Sequence, residues 1–129
     1  MEYIKIKENE EIVRIEITME FPGAGVYNYV INENLMHEYD NGDRKDENFP
    51  HHYMIGTGKD ILNKNDHNNW DFHLTNSSED TLDYKVFIKW FQGDNLEPIH
   101  VWPIEELWEG EVSKSDHIQK SEIAIYQKL

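Results

Sequence analysis

The chain has 129 residues, of which 38% are hydrophobic and 12% aromatic, with a formal net charge of −14 and no cysteine. That length suits one ordinary domain, 1–129, with enough interior to need no covalent or metal staples. Without cysteine, disulfides, thiolate zinc sites and a cysteine nucleophile are excluded, and 26 acidic against 12 basic residues, with no basic stripe, argue against nucleic-acid phosphates and anionic membranes as partners.

The opening MEYIKIKENEEIVRIEI lacks the basic region, apolar core and cleavage site of a secretory signal, so a cytoplasmic location is expected. Tyr3 to Ile6 reads as a short strand, followed by a polar turn over Glu8–Glu11. Val13, Ile15, Ile17 and Met19 then alternate with Arg14, Glu16, Thr18 and Glu20, the period of a strand with one wet face. Phe21-Pro22-Gly23-Ala24-Gly25 breaks it, because proline fixes φ and glycine permits positive φ. Val26–Ile31 and Leu35–Tyr39 resume as strands, and the charged Asp40–Pro50 stretch, with its Asn41-Gly42 pair, reads as a loop.

His51–Ile55 is expected to be a strand that ends in a turn at Gly56-Thr57-Gly58, with a second polar loop over Asn63–Asn69. In Trp70–Gln92, aromatic and β-branched residues alternate on both sides of a polar connection at Asn76–Thr81, which predicts two strands. Ile99–Trp102 is extended. Pro103–Gly110 has the grammar of a short helix: proline in the first turn, acids at the positive dipole end, glycine at the stop. Ser121–Gln127 closes as a strand with Ile123 and Ile125 inward. The expected core is Val13, Ile15, Ile17, Phe72, Leu74, Tyr84, Val86, Ile88, Trp90, Ile123 and Ile125. Seven to nine short strands with turn signals about every ten residues predict an all-β sandwich, immunoglobulin-like or jelly-roll, with one short helix near 103–109.

Among groups that could carry chemistry, the seven histidines come first. None forms His-x-His, the spacing that shares one strand face. His51 and His52 are adjacent and point to opposite faces, so a metal site would need one of them with His67 and His73; no metal and no cofactor is expected. Asp40, Asp43, Asp46 and Glu47 in one loop, and Asn63, Asn65, Asp66 and Asp71 in the other, fail the EF-hand register and read as solvated turns. Gly56-Thr57-Gly58-Lys59-Asp60 has an acid where a phosphate loop needs Ser or Thr. No serine sits in Gly-x-Ser-x-Gly, and Asn76-Ser77-Ser78 is a formal glycosylation sequon.

The strongest remaining signal is aromatic. His100 and Trp102 share one face of their segment, and Trp102 and Trp108 lie among Glu105, Glu106, Glu109 and Glu111. Tryptophan ringed by carboxylates grips proteins or sugars; the plainer alternative is that both indoles cap the core. The leading expectation is a non-catalytic acidic module that binds a protein partner, a basic one in the manner of an inhibitor. A carbohydrate-binding module using the exposed tryptophans is the first alternative, and a metal-dependent enzyme using the histidines the second. Oligomeric state is not legible.

Overall fold

The computed structural model describes residues 1–32, 34–40, 49–103 and 108–129. Ten strands build two sheets: β1 (Glu2–Ile6), β2 (Ile12–Glu20), β3 (Ala24–Ile31), β4 (Asn34–Asp40), β5 (His51–Thr57), β6 (His67–Thr75), β7 (Leu82–Gln92), β8 (His100–Trp102), β9 (Trp108–Val112) and β10 (His117–Lys128). The first sheet has the order β1-β10-β6-β3-β4 and the second β5-β2-β7-β8, with β9 following β8 along the same edge of β7. β1 lies parallel to β10, and the other pairings are antiparallel. This is the expected all-β sandwich.

Alternation decides which side chains meet between the sheets. Val13, Ile15, Ile17 and Met19 of β2 and Val86, Ile88 and Trp90 of β7 face Tyr27 and Tyr29 of β3 and Trp70, Phe72 and Leu74 of β6, all of them buried. Trp70 meets Trp90 edge-on at 5.6 Å between ring centroids, and Phe72 stacks on Trp102 at 6.1 Å. A polar thread runs through this apolar layer. Trp90 Nε1 donates to Tyr126 Oη at 3.2 Å, and Tyr126 Oη donates to Asn68 Oδ1 at 2.6 Å. Burying these groups is tolerable because each donor has found an acceptor.

Three expectations need correction. Ile123 and Ile125 do not enter the core: Ile123 is 41% exposed and Ile125 half-buried, while Ala124 and Tyr126 of the opposite parity are buried. The aromatic Tyr126 finds Trp90 across the sandwich and Asn68 on the neighbouring strand, and it takes the inward parity for the whole strand. Tyr84 is half-buried at the end of the core. The helix near 103–109 is not found over its last residues, since Trp108 and Glu109 open β9; residues 104–107 lie outside the described part of the chain.

The helix lies elsewhere. α1 (Gly58–Lys64) occupies what was read as a turn and a loop. Thr57 caps it by accepting from the Asp60 amide at 3.1 Å, Asn65 ends it in a left-handed conformation, and Ile61 inserts into the core. Gly58 could carry no side chain: a Cβ there would sit 1.9 Å from the Lys7 carbonyl oxygen and 2.5 Å from Gln92 Nε2. Gln92 holds this end together, accepting from the Lys7 amide at 2.8 Å and donating to the Lys7 carbonyl at 2.9 Å.

Two tyrosines allow the polar thread to be tested. Tyr29 Oη is buried with no hydrogen-bond partner among the described residues. We predict that Tyr126→Phe, which strands Trp90 Nε1 and Asn68, costs about 1–3 kcal/mol in urea unfolding, whereas Tyr29→Phe is neutral or stabilising. Burial raises both phenols well above tyrosine's ordinary 10.0. A raised folded value keeps its stabilisation below the unfolded value and loses it as pH climbs through the folded one. Stability should therefore fall as pH rises above about 10, and Tyr126→Phe should flatten that fall in a pH series of denaturant midpoints.

Candidate functional site

At one end of the sandwich, the last residue of β2, the turn after it, the start of β7 and the strand β9 enclose two adjoining depressions of about 320 and 330 Å³. Their lining includes Glu20, Asp83, Glu109 and Glu111 together with Phe21, Pro22 and Tyr84. The ladder sets this arrangement. Lys85 of β7 lies opposite Glu20 on one side and Glu109 on the other, and one step along, Asp83 lies directly opposite Glu111. Like charges in that position repel.

The four carboxylates make no hydrogen bond or ion pair among the described residues. Lys85 does not close the gap, since its ammonium lies 5.9 Å over the Phe87 ring and forms no ion pair there. Acids elsewhere are tied down: Glu16 by Arg14 and His52, each at 3.5 Å, and Asp71 by Ser121, Gln119 and His73 at 2.5, 3.0 and 3.0 Å. Burial would raise the Asp71 carboxyl, but those three hydrogen bonds prevail and hold it below the ordinary value. Burial also raises the Tyr84 phenol. Gly110 lies opposite Tyr84, and a Cβ there would stand 3.0 Å from its hydroxyl, so the glycine lets the ring lie close against β9.

The turn beside the groove hangs on Asn76. Its buried amide donates to the carbonyls of Asp80, Val112 and Ser113 at 2.7, 3.0 and 3.3 Å, and its oxygen accepts from the amide and hydroxyl of Ser78. The sequon asparagine thus belongs to the interior and ties the β6–β7 connection to the end of β9.

Of the residues expected to bind, Glu109 and Glu111 line this groove, and His100 and Trp102 do not. His100 and Trp102 face inward as a pair, opposite Trp90 and Ile88. His100 Nε2 lies 3.4 Å from the buried carboxylate of Glu2, an ion-pair distance without hydrogen-bond alignment, and Trp102 is half-buried against Phe72. Glu105 and Glu106 lie outside the described residues, and of Trp108 only the backbone is described.

The histidines named for a metal do not converge. His67 and His73 share the outer face of β6 but stand six residues apart, about 20 Å along a strand. His52 points out from the other sheet toward Glu16. His51 points in, with Nδ1 2.5 Å from Tyr27 Oη, which is itself 2.7 Å from Tyr53 Oη, and its ring stacks on Phe49 at 4.2 Å. That aromatic knot closes the β3–β5 side of the sandwich. Among the described residues no three His, Asp or Glu side chains are grouped to hold a metal ion. Of the loop acids, Asn65 caps α1, Asp66 accepts from Asn32 Nδ2 at 2.7 Å, and Asp43, Asp46 and Glu47 are not described. No described helix is long and apolar enough to cross a membrane.

Phe21 and Tyr84 and the acids Glu20 and Asp83 were missed as lining residues. Each sits at a strand end, and only the register of β2, β7 and β9 gathers them. If Asn76 holds the groove's wall, Asn76→Ala should destabilise the fold by about 2–4 kcal/mol, because three carbonyls lose a buried donor. Thermal and denaturant melts read this directly.

Comparison with protein-family models, curated proteins and solved structures finds no match for this chain.

Proposed function

We propose that the protein is a non-catalytic acidic interaction module that binds a basic protein partner, in the manner of an inhibitor covering a basic cleft. The observation that carries this reading is the set of four carboxylates, Glu20, Asp83, Glu109 and Glu111, which share the outward face of β2, β7 and β9 and make no hydrogen bond or ion pair among the described residues. Carboxylates without internal partners give up little protein bonding when a lysine or arginine arrives. The opposed pair Asp83 and Glu111 gains twice, since a cation between them also relieves their mutual repulsion. The net charge of −14 adds long-range steering that speeds encounter with a basic surface. The sugar-binding alternative has less support, because Trp102 is half-buried against Phe72.

The reading is tested with the double variant Asp83→Asn and Glu111→Gln. The free chain should keep its stability or gain about 0.2–1 kcal/mol from relieved repulsion. Its association with a basic partner isolated from the source cell should slow markedly at low salt. An unchanged association rate for the double variant places the contact elsewhere. Recovery of no basic protein by the wild-type chain, under low-salt conditions that preserve weak complexes, overturns the reading.

A further inference from the structure

The outward face of the first sheet carries apolar side chains on several strands. The register lays it out in rows across the strands: Lys5 beside Gln127; Tyr3, Ile125 and His67; Ile123, Asn69 and Val30; Ser121, Asp71, Asn28 and Glu38; Gln119, His73, Val26 and Asp40. Tyr3 is 55% and Ile123 41% exposed, and Ile125, Val30 and Val26 are half-buried beside them. Three of the five strands therefore contribute apolar side chains to water. Their central carboxylate, Asp71, is already saturated by Ser121, Gln119 and His73.

Apart from the central Asp71, the charged residues of these rows stand toward opposite corners. Lys5 stands on β1 at one end, and Glu38 and Asp40 stand on β4 toward the other end. β6 lies midway, with two strands on each side. A two-fold axis lying between two such faces, passing over Asn69 and running across that diagonal, sets each Lys5 over Glu38 of the other copy. The same operation lays Ile123 and Val30 against their counterparts, with the strands of the two sheets crossing steeply, in the manner of orthogonal sheet packing. We infer that this face is the interface of a homodimer, whose occupant is a second copy of the chain held by Tyr3, Ile123, Ile125 and Val30 and oriented by Lys5 against Glu38. The inference does not depend on the proposed partner, which takes the groove at the end of the sandwich.

Salt gives the dimer a distinctive signature. Two chains of −14 repel at long range, so screening favours their association, whereas it weakens a complex with a basic protein. Sedimentation velocity of the full chain over a concentration series, at about 0.1 M and about 1 M salt, should show a dimer that strengthens with salt. Ile123→Glu should weaken it by about tenfold or more at both salts. Ile12→Glu, at a residue 40% exposed on the other sheet, should leave it unchanged. Circular dichroism confirms that each variant is folded, and Tyr3→Glu replaces Ile123→Glu if that variant is not. Lys5→Glu should weaken the dimer, and adding Glu38→Lys to it should restore the dimer. A chain that stays monomeric at both salts overturns the inference, as does a dimer insensitive to both Ile123→Glu and Tyr3→Glu. A dimer that loses strength on Lys5→Glu without recovery in the double variant overturns the orientation.

Discussion

The contact of Trp90 with Tyr126 and Asn68 orders the rest of the sandwich. One indole N–H donates to one phenol hydroxyl, which donates in turn to an amide oxygen, in a layer otherwise filled by hydrocarbon and aromatic faces. An unpaired buried donor costs more than a made hydrogen bond returns, so the three strands that supply these groups have little freedom to slip. A slip of one residue would turn Trp90, Tyr126 or Asn68 outward and every neighbour with it. The parities of β6, β7 and β10 are thus locked to one another through residues far apart in the chain.

That lock has consequences on both outer surfaces. On β10 it turns Glu122 inward, where it is nearly buried, and it turns Ile123 and Ile125 outward. On β7 it aims Asp83 and Lys85 outward, beside Glu111 and Glu109 of β9. The apolar outer face and the acidic groove are therefore two results of one interior arrangement. Neither is what the isolated strands would favour: the first leaves isoleucine in water, and the second sets two carboxylates opposite each other.

The buried amides Asn76 and Gln92 do comparable work at the two ends of β7. Each bridges a connection that has no ladder of its own, the β6–β7 connection to the end of β9 in one case and the β1–β2 connection at Lys7 to β7 in the other. Such residues hold loops whose backbone groups would otherwise lie unsatisfied. They place the groove at one end and α1 at the other without adding any apolar contact.

The class of fold was readable from the chain alone, because strand alternation is a local property. Val13, Ile15 and Ile17 alternate with polar residues, Val86, Ile88 and Trp90 alternate with Lys85, Phe87, Lys89 and Phe91, and all six are buried. The cap of α1 was also present locally, in Thr57 three residues before Asp60, but Ile61 and Leu62 are too few to show a helical period. β10 was undecidable by itself. Its Ser121–Gln127 stretch has isoleucine on one parity and alanine and tyrosine on the other, and the choice between them was made by Trp90, 36 residues away. The same holds for the groove: Glu109 and Glu111 could be singled out for their charge, but Glu20, Phe21, Asp83 and Tyr84 come to their side only through pairing of β2, β7 and β9. Periodicity along one strand determined that this protein is a sandwich; hydrogen bonds and packing between distant strands decided which faces it shows.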